Sequence, residues 1–466
     1  MANFISKPVW IVFLVLTTRL LGSEQFGVFV YLIAVSNIIA AFFEMGLDLQ
    51  IMRSISPQKD RAGHFAGISI ILRSLGVLGI IVVAGILYVF DYQYQEEYTL
   101  PLYVMGILQG IFLYILSHLR ALFRSLELLK FEAISLAVEK NLIAVLGLII
   151  LFTSADLYAF LTFYNAGSFV AVVVTLFMAI KLTKVRLNKI PTRAEAASIL
   201  KPAFPFAIMN IIQVTYTRLG TVMLERLTGN QSWVGLYNAG SRFAGAFIVF
   251  PDTIMAAVYP VFCRVYDQRD KMWDLIQLSS RILLALAVPI GTTIFIAHYE
   301  FTSLVFGDGY IEASAAIGVF GLMLIANSQV FIVGSVVSAT GNQMSVNKLF
   351  AVIFVISVSA YIYFIPQYGY MAAAWITLWD QIALFLINFW VTRKFYNIGT
   401  YVLNIARTLV FPIAAWFYYQ SGFPIENHIL TLLVLGCWNL AGVFVMGLVK
   451  RDDLQQILKL RSKTVH

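Results

Sequence analysis

The chain has 466 residues, of which 60% are hydrophobic and only 12% are charged, and its mean hydropathy is +0.84. Soluble proteins carry about 25% charged residues, so the composition excludes a soluble globular protein and indicates a polytopic membrane protein. The formal net charge of +8 would suggest an anionic partner if the protein were soluble. In a membrane protein it first reports on topology, because Lys and Arg accumulate on the cytoplasmic side.

The residue types that build metal and catalytic sites are sparse. Cys263 and Cys437 stand far apart, and the five histidines are scattered without the spacing of a metal-ligand set. The sequence has no phosphate-binding loop of the GxxxxGKS or GxxxxGKT type, and no pattern typical of a nucleophile with its base. We therefore expect no catalytic residues, no metal and no cofactor.

Apolar runs long enough to cross about 30 Å of hydrocarbon recur along the chain. They predict about fourteen transmembrane helices, at residues 4–21, 26–48, 65–90, 99–122, 132–153, 157–180, 199–224, 233–257, 275–304, 313–338, 346–365, 370–392, 403–420 and 428–448. The first two form a hairpin within Thr18–Arg53, with a short polar corner at Ser23-Glu24-Gln25. We expect Met1–Leu21 to be a membrane span, because no small-residue cleavage site follows Lys7.

Charge is distributed unevenly between the loops on the two sides of the predicted helices. Alternate loops and the C-terminal tail contain roughly two thirds of the 32 Lys and Arg residues. The opposite loops are short and acidic or neutral, as at 91–97 and 306–309. The positive-inside rule therefore predicts that both termini are cytoplasmic.

A repeat of the opening corner divides the chain. Arg19-Leu-Leu-Gly22 followed by Phe26-Gly27 reappears as Arg226-Leu-Thr-Gly229 followed by Val234-Gly235, with both corners on the predicted outer side. This spacing predicts two six-helix lobes related by a parallel pseudo-twofold repeat. We assign 1–181 to an N-terminal lobe, 182–198 to a basic cytoplasmic linker, 199–394 to a C-terminal lobe, 395–449 to an extra helix pair and 450–466 to a cytoplasmic tail.

Ionisable residues inside predicted spans are costly, so each is a candidate functional residue. The candidates for a cationic, substrate-binding cavity are Arg19, Arg73, Lys140, Arg218, Arg242 and Arg281. Counting along the spans places Arg73, Lys140 and Arg281 in the cytoplasmic half and the other three toward the outer half, as two successive levels for an anion. The candidates for coupling to H⁺ or Na⁺ are Glu44, Asp48 and Asp380. The last is the deepest, and it is either such a site or the salt-bridge partner of an arginine.

The predicted seventh span has a polar stripe on one side. Its members are Asn210, Gln213, Thr217, Arg218, Thr221 and Glu225. They fall within about 140° of arc at 100° per residue. We interpret the stripe as the lining of a cavity; in the alternative, Arg218 pairs with Glu225 or a neighbouring residue and the stripe packs against another helix.

Alternatives remain for other charged residues. Arg281 either lines the cavity or snorkels to the surface, and Arg19 either contacts the substrate or pairs with Glu24. Glu139 and Lys140 are adjacent in sequence and predicted to point to different helix faces. We therefore expect these two side chains not to pair.

Eight short motifs occur in a fixed order along the chain. They are Arg19-Leu-Leu-Gly-x-x-x-Phe-Gly27, Gly46-Leu-(x)5-Arg53, Tyr216-Thr-Arg-Leu219, Val234-Gly-Leu-Tyr-Asn-Ala-(x)2-Arg242, Tyr259-Pro-Val-(x)2-Arg264, Leu304-Val-Phe-Gly-Asp-Gly-Tyr310, Ala339-Thr-Gly-Asn342 and Ile365-Pro-x-Tyr-Gly369. In order and spacing they resemble the oligosaccharide and polysaccharide flippases, such as those of O-antigen, in the multidrug/oligosaccharidyl-lipid/polysaccharide transporter superfamily. The resemblance extends over most of the chain.

The resemblance implies a two-lobed bundle with alternating access. It also implies that intramembrane Arg and Lys hold the pyrophosphate of a lipid-linked glycan, while the polyprenyl tail stays in lipid. One departure lies in the seventh span, where relatives often have Arg-Leu-Asp and this chain has Arg218-Leu219-Gly220. Because this chain has no acidic residue at that position, the ion-coupling role that the position has in relatives cannot be assigned there. We expect ion coupling at Asp380 or Asp48 instead.

We expect a flippase without enzyme activity in the bacterial inner membrane. It would move an undecaprenyl-pyrophosphate-linked oligosaccharide to the outer leaflet for O-antigen (lipopolysaccharide), capsule or exopolysaccharide biosynthesis. The expected partners are this glycan, membrane lipids, a glycan polymerase and a chain-length regulator; we expect a monomer that binds no nucleic acid. The first alternative is a multidrug/cation antiporter on the same fold, and the second is a membrane glycan polymerase or ligase.

Overall fold

The computed structural model describes residues 2–56, 62–92, 98–154, 156–183, 192–421 and 427–447. Within these ranges the regular structure is helical, without β-strands. The predicted tail 450–466 and residues 184–191 of the predicted linker lie outside the described residues.

Fifteen α-helices form the described part of the chain. They are α1 (Ala2–Glu44), α2 (Leu47–Ile55), α3 (Ala62–Tyr92), α4 (Leu100–Ser125), α5 (Leu129–Thr153), α6 (Leu157–Thr183), α7 (Arg193–Thr228), α8 (Gln231–Phe247), α9 (Val249–Arg264), α10 (Arg269–Ile296), α11 (His298–Val305), α12 (Ser314–Ala339), α13 (Gln343–Thr392), α14 (Ile398–Gln420) and α15 (His428–Val445). Two short 3₁₀ helices cover Asp308–Ala313 and Arg393–Phe395.

Twelve stretches of these helices are long and apolar enough to span a membrane. Two of them consist of two helices joined at a glycine, at Gly22 in α1 (φ 73°) and at Gly369 in α13 (φ 57°). Both angles lie in the left-handed region, which glycine adopts readily because it has no Cβ. The described residues thus contain fourteen apolar spanning segments, and this confirms the predicted number and the all-α membrane fold.

Three predicted spans are interrupted. The span predicted at 26–48 ends at Glu44, the span at 233–257 is divided between α8 and α9, and the span at 275–304 between α10 and α11. Pro251 is the third residue of α9. A proline is tolerated in the first turn of a helix but cannot continue a preceding one, which explains the break between α8 and α9.

By its internal contacts the chain divides into two compact units, residues 1–235 and 236–466. In the first unit, α4 packs against α1, α2, α3 and α6, and α7 packs against α1 and α2. Ile51 and Ile55 of α2 are fully buried against Leu122 and Phe123 of α4. The predicted boundaries of the lobes, the linker and the extra helix pair stay predictions.

The second unit is organised around α10, which packs against α9, α12, α14 and α15. Phe262, Ile276 and Ile332 are fully buried where α9, α10 and α12 meet. Ala415 and Leu435 bury the last two helices against the end of α10. The C-terminal helix pair is therefore part of the core of this unit.

The two repeated corners of the sequence contact each other reciprocally. A Cβ atom at Gly27 would overlap the carbonyl oxygen of Gln231, and a Cβ atom at Gly235 would overlap the carbonyl oxygen of Ser23. The hydroxyl oxygens of Ser23 and Ser232 are 2.8 Å apart. The same sequence offset relates the two glycine contacts, as a parallel repeat predicts. We refer to these five residues as the glycine seam.

Candidate binding cavity

A cavity of about 330 Å³ lies within the first unit, between the end of α1, the start of α2 and parts of α3, α4 and α7. Its lining consists of Asn37, Ala40, Ala41, Glu44, Asp48, Arg73, Gly110, Leu113, Tyr114, Ser117, Asn210, Val214, Thr217 and Arg218. Six of the residues singled out in the sequence therefore meet here: Glu44, Asp48, Arg73, Asn210, Thr217 and Arg218. Arg73 and Arg218, expected at different depths, line the same cavity.

A tight turn between α1 and α2 brings two carboxylates to the cavity. Glu44 is the last residue of α1 and Asp48 the second residue of α2. Between them, Met45 and Gly46 have positive φ angles of 52° and 68°. A Cβ atom at Gly46 would collide with the backbone of Ala203 in α7, so this turn rests directly on α7.

Arg73 is held in the cavity wall by several contacts, and it is only 3% exposed. Its Nε and Nη2 atoms donate to the carbonyl oxygen of Tyr114 at 3.2 and 2.5 Å, and Nη2 also donates to Ser117 Oγ at 2.6 Å. The guanidinium lies 3.6 Å from the centroid of the Tyr114 ring, and Nη1 is 3.6 Å from Asp48 Oδ1. These contacts fix the plane of the guanidinium.

His118 in α4 contacts the same oxygen of Asp48. It is 1% exposed. Its Nδ1 atom is 3.0 Å from Asp48 Oδ1 and its Nε2 atom is 3.0 Å from Ser69 Oγ in α3. His118 is not among the candidates predicted from the sequence. It lies inside the predicted span 99–122, and the expectation that ionisable residues within a span are functional applies to it as it does to Arg and Asp.

Arg218 in α7 is in a different situation. It is half-buried and lines the cavity, and it forms no ion pair within 4 Å with any residue that the structure describes, Glu225 included. The alternative in which Arg218 pairs with Glu225 is therefore not observed. A guanidinium in this position can offer its planar set of N–H donors to a ligand.

Glu44 joins the end of α1 to α7. Its Oε2 atom accepts a hydrogen bond from Nδ2 of Asn210. Two arginines and two carboxylates thus line one cavity, and Asp48 offsets part of the cost of burying Arg73. The guanidinium of Arg218 and the amide of Asn210 are suited to bind a phosphate or a carboxylate.

The other predicted residues of the first unit lie outside the lining of this cavity. These are Arg19, Lys140, Gln213 and Thr221. The expectation that Glu139 and Lys140 do not pair is wrong, because Lys140 Nζ lies 3.1 Å from Glu139 Oε1. The Lys140 ammonium also lies 4.1 Å from the centroid of the Trp10 ring.

The second unit has cavities of about 160 and 430 Å³. Their linings are mainly apolar and share Phe247, Leu286 and Ile290. They include none of the residues predicted for a site in this unit, which are Arg242 in α8, Arg281 in α10 and Asp380 in α13. The roles proposed for these three residues stay predictions.

Asp380 is 8% exposed and accepts a hydrogen bond from Ser357 Oγ at 2.6 Å. Among the residues with described positions, it has no ion-pair partner within 4 Å. Across the same described residues, no three His, Cys, Asp or Glu side chains come close enough together to hold a metal ion.

A family model described as "Polysaccharide biosynthesis protein" matches residues 1–266, more than half of the chain. A search of curated proteins finds no match.

Several solved structures have a similar fold. The structure titled "Lipid II flippase MurJ, inward closed conformation" superposes with a TM-score of 0.72 at 13% identity, over 96% of each chain. An inward-facing multidrug resistance MATE family transporter of the MOP superfamily gives a TM-score of 0.65 at 16% identity, over 84% of this chain and 94% of that one. At this low identity the similarity shows the fold alone, and it confirms that the chain has the fold of the superfamily it resembles in sequence.

Proposed function

The chain belongs to the polysaccharide biosynthesis protein family, and from this premise we propose that it is a flippase for a polyprenyl-pyrophosphate-linked oligosaccharide. It moves this substrate by alternating access from the cytoplasmic to the outer leaflet of the bacterial inner membrane. The translocated glycan is used for surface polysaccharide, such as O-antigen, capsule or exopolysaccharide.

The proposal rests on the position of Arg218. It lines a polar cavity within apolar helices and has no ion-pair partner within 4 Å among the described residues. A buried charge costs at least a few kcal/mol, and an anionic ligand would offset that cost. A diphosphate suits the site because a guanidinium can bind two of its oxygens at once, with Asn210 and Thr217 beside it as further polar groups.

The charge pattern supports an orientation with both termini in the cytoplasm. Two helices that line the cavity, α2 and α4, carry Arg53 and Arg124 in their last turns. By the positive-inside rule, those helix ends are cytoplasmic. The cavity then lies toward the leaflet in which a lipid-linked precursor is assembled.

The proposal is tested by complementation of a host that lacks its own copy of this protein. We expect Arg218→Ala to reduce surface glycan about tenfold or more, the equivalent of roughly 1.4 kcal/mol of lost binding, while the protein still inserts at the wild-type level. Arg269→Ala is the matched control, because Arg269 is exposed at the start of α10 and is not part of the cavity lining.

We also expect less surface glycan when Arg73, Lys140 or Arg242 is replaced by alanine. Normal glycan in all four alanine variants would rule out binding of the substrate by these cationic groups. Purified protein that transferred sugars between lipid carriers would instead indicate a polymerase or ligase.

A multidrug or cation antiporter is the second candidate. It is favoured by Glu44 and Asp48 in the same cavity and by the fold shared with a multidrug transporter. Efflux of cationic dyes from cells that express the protein, abolished by Glu44→Gln, would support the antiporter. If dye efflux is unchanged in Glu44→Gln and surface glycan is lost in Arg218→Ala, the results would support the flippase.

A further inference from the structure

We propose that Asp48 and His118 form a proton-binding site, and that a proton bound there strengthens the binding of an anionic ligand in the adjoining cavity. The nature of the ligand, an organic diphosphate, rests on the proposed function. The proton site itself rests on the contacts of His118.

The hydrogen-bond partners of His118 suit two protonation states. Ser69 Oγ lies 3.0 Å from His118 Nε2 and 2.9 Å from the carbonyl oxygen of Ala66. A hydroxyl group has one proton and can also accept. When His118 is neutral, Ser69 donates its proton to Nε2, and Nδ1–H donates to Asp48.

When His118 takes up a proton from water, that proton binds the lone pair of Nε2. The new Nε2–H donates to Ser69 Oγ, whose own proton turns to the carbonyl oxygen of Ala66, and Nδ1–H still donates to Asp48. Rotation of one hydroxyl therefore keeps both ring nitrogens hydrogen-bonded in either state. A buried histidine with a fixed donor or acceptor at Nε2 would lose a hydrogen bond in one of the two states.

The charge on His118 acts on Arg73 through a shared atom. Asp48 Oδ1 lies 3.0 Å from His118 Nδ1 and 3.6 Å from Arg73 Nη1. With neutral His118, the carboxylate counters the charge of Arg73. With charged His118, the carboxylate is shared between two cations, and the wall of the cavity gains one positive charge.

Three other charged or titratable groups line the same cavity as Asp48 and Arg73. They are Glu44 at the end of α1, Tyr114 on α4 and Arg218 on α7. Tyr114 donates its hydroxyl proton to the carbonyl oxygen of Phe43 at 3.0 Å, and Glu44 is held by Asn210. We assign the exchanged proton to His118, because both of its ring nitrogens keep a hydrogen-bond partner in either protonation state.

The proposal predicts that ligand binding and proton binding strengthen each other. Coupling free energies are reciprocal, so an anion that binds more tightly to the protonated site also draws a proton onto it. The dissociation constant should rise with pH over the range in which His118 loses its proton. For one linked proton the limit is about tenfold per pH unit.

The first measurement needs no ligand. Full-length protein in lipid nanodiscs, labelled with ¹³C at the histidine ring, is titrated by NMR, and His118→Gln identifies the His118 signal. We expect this signal to move between two states on titration, and Asp48→Asn to shift its midpoint. A signal that keeps one neutral tautomer from pH 5 to pH 9 would overturn the proposal, whatever the ligand results.

The second measurement is calorimetric binding of farnesyl diphosphate, a short polyprenyl diphosphate, in two buffers with different ionisation enthalpies. We expect wild-type protein to take up more protons per bound ligand than His118→Gln, whose amide can still contact Asp48 and Ser69 but cannot titrate. The ionisation of the ligand itself cancels in this difference. His298→Gln, in α11 of the second unit, is the control and should behave as wild type.

The two proposals fail in different ways. If wild-type protein and His118→Gln bind farnesyl diphosphate with the same proton uptake, the proton linkage is wrong while the flippase proposal stands. If neither binds the diphosphate and Arg218→Ala supports normal surface glycan, the flippase proposal is wrong, and the linkage to an anion fails with it.

Discussion

Asp48 in the first unit and Asp380 in the second are both buried carboxylates, 9% and 8% exposed, but their surroundings differ. Asp48 is in contact with Arg73 and His118. Asp380 accepts a hydrogen bond from Ser357, and no ion pair joins it to another described residue. The first unit thus connects its buried charges in one network, whereas this acid of the second unit is held by a hydroxyl group.

The cavities of the two units differ in the same way. The cavity of the first unit is lined by two arginines and two carboxylates, and those of the second unit mainly by apolar side chains. Of these cavities, the one in the first unit is therefore suited to a charged group, and the two in the second unit are suited to apolar groups.

The largest expected effect is that of Asp48→Ala. Removal of one partner from a buried ion pair costs about 3–5 kcal/mol, because the other charge is left uncompensated. Thermal unfolding of the purified protein in detergent, followed by circular dichroism, measures the change. Asp380→Ala is the matched variant and should cost much less, since no arginine or lysine loses a partner. Equal losses in the two variants would remove the distinction drawn between the units.

A second comparison concerns the two arginines of the cavity. Lysine retains the positive charge but not the planar set of donors. Arg73→Lys cannot reproduce the hydrogen bonds to Tyr114 and Ser117, and we expect a stability loss of about 1.5–3 kcal/mol. Arg218→Lys should change stability by about 0.5 kcal/mol or less. The same unfolding experiment tests both, and a larger loss for Arg218→Lys would mean that Arg218 is the structural residue.

The last comparison concerns Thr293→Val in the second unit, for which we also expect a small effect. Thr293 Oγ1 accepts a hydrogen bond from Asn439 Nδ2 at 3.2 Å, which joins α10 to α15. Single hydrogen bonds between membrane helices average about 0.6 kcal/mol. We expect a loss of that size in the unfolding experiment and unchanged surface glycan in complemented cells. A loss as large as that of Asp48→Ala would show that α15 depends on this one contact.

Much of the fold could be predicted from the sequence because the signals are local. Long apolar runs mark the spanning helices, and glycines such as Gly22 and Gly369 lie where two of them are joined. Of the polar stripe of α7, Asn210, Thr217 and Arg218 line the cavity of the first unit, whereas Gln213, Thr221 and Glu225 do not.

The composition of the site could not be predicted in the same way. The meeting of Glu44, Asp48 and Arg73 depends on the turn at Gly46, which ends α1 four residues earlier than hydropathy suggests. Lys140 was assigned to the cavity from its depth alone, but its ammonium lies beside Glu139 and Trp10. Hydropathy gives the depth of a residue, and only the packing of helices decides which neighbours it has at that depth.

The glycine seam gives the first unit two unlike ends. From Gly27 at the seam to Glu44 at the cavity, α1 runs for 17 residues, or roughly 26 Å at 1.5 Å per residue, close to the thickness of the hydrocarbon layer. At one end, the main chains of the two corners are in direct contact; at the other, charged side chains line a cavity of about 330 Å³. Because the contact at the seam leaves no room for a water molecule between the two corners, we expect it to block the passage of protons and ions between them, so that the cavity does not leak the membrane potential through this contact.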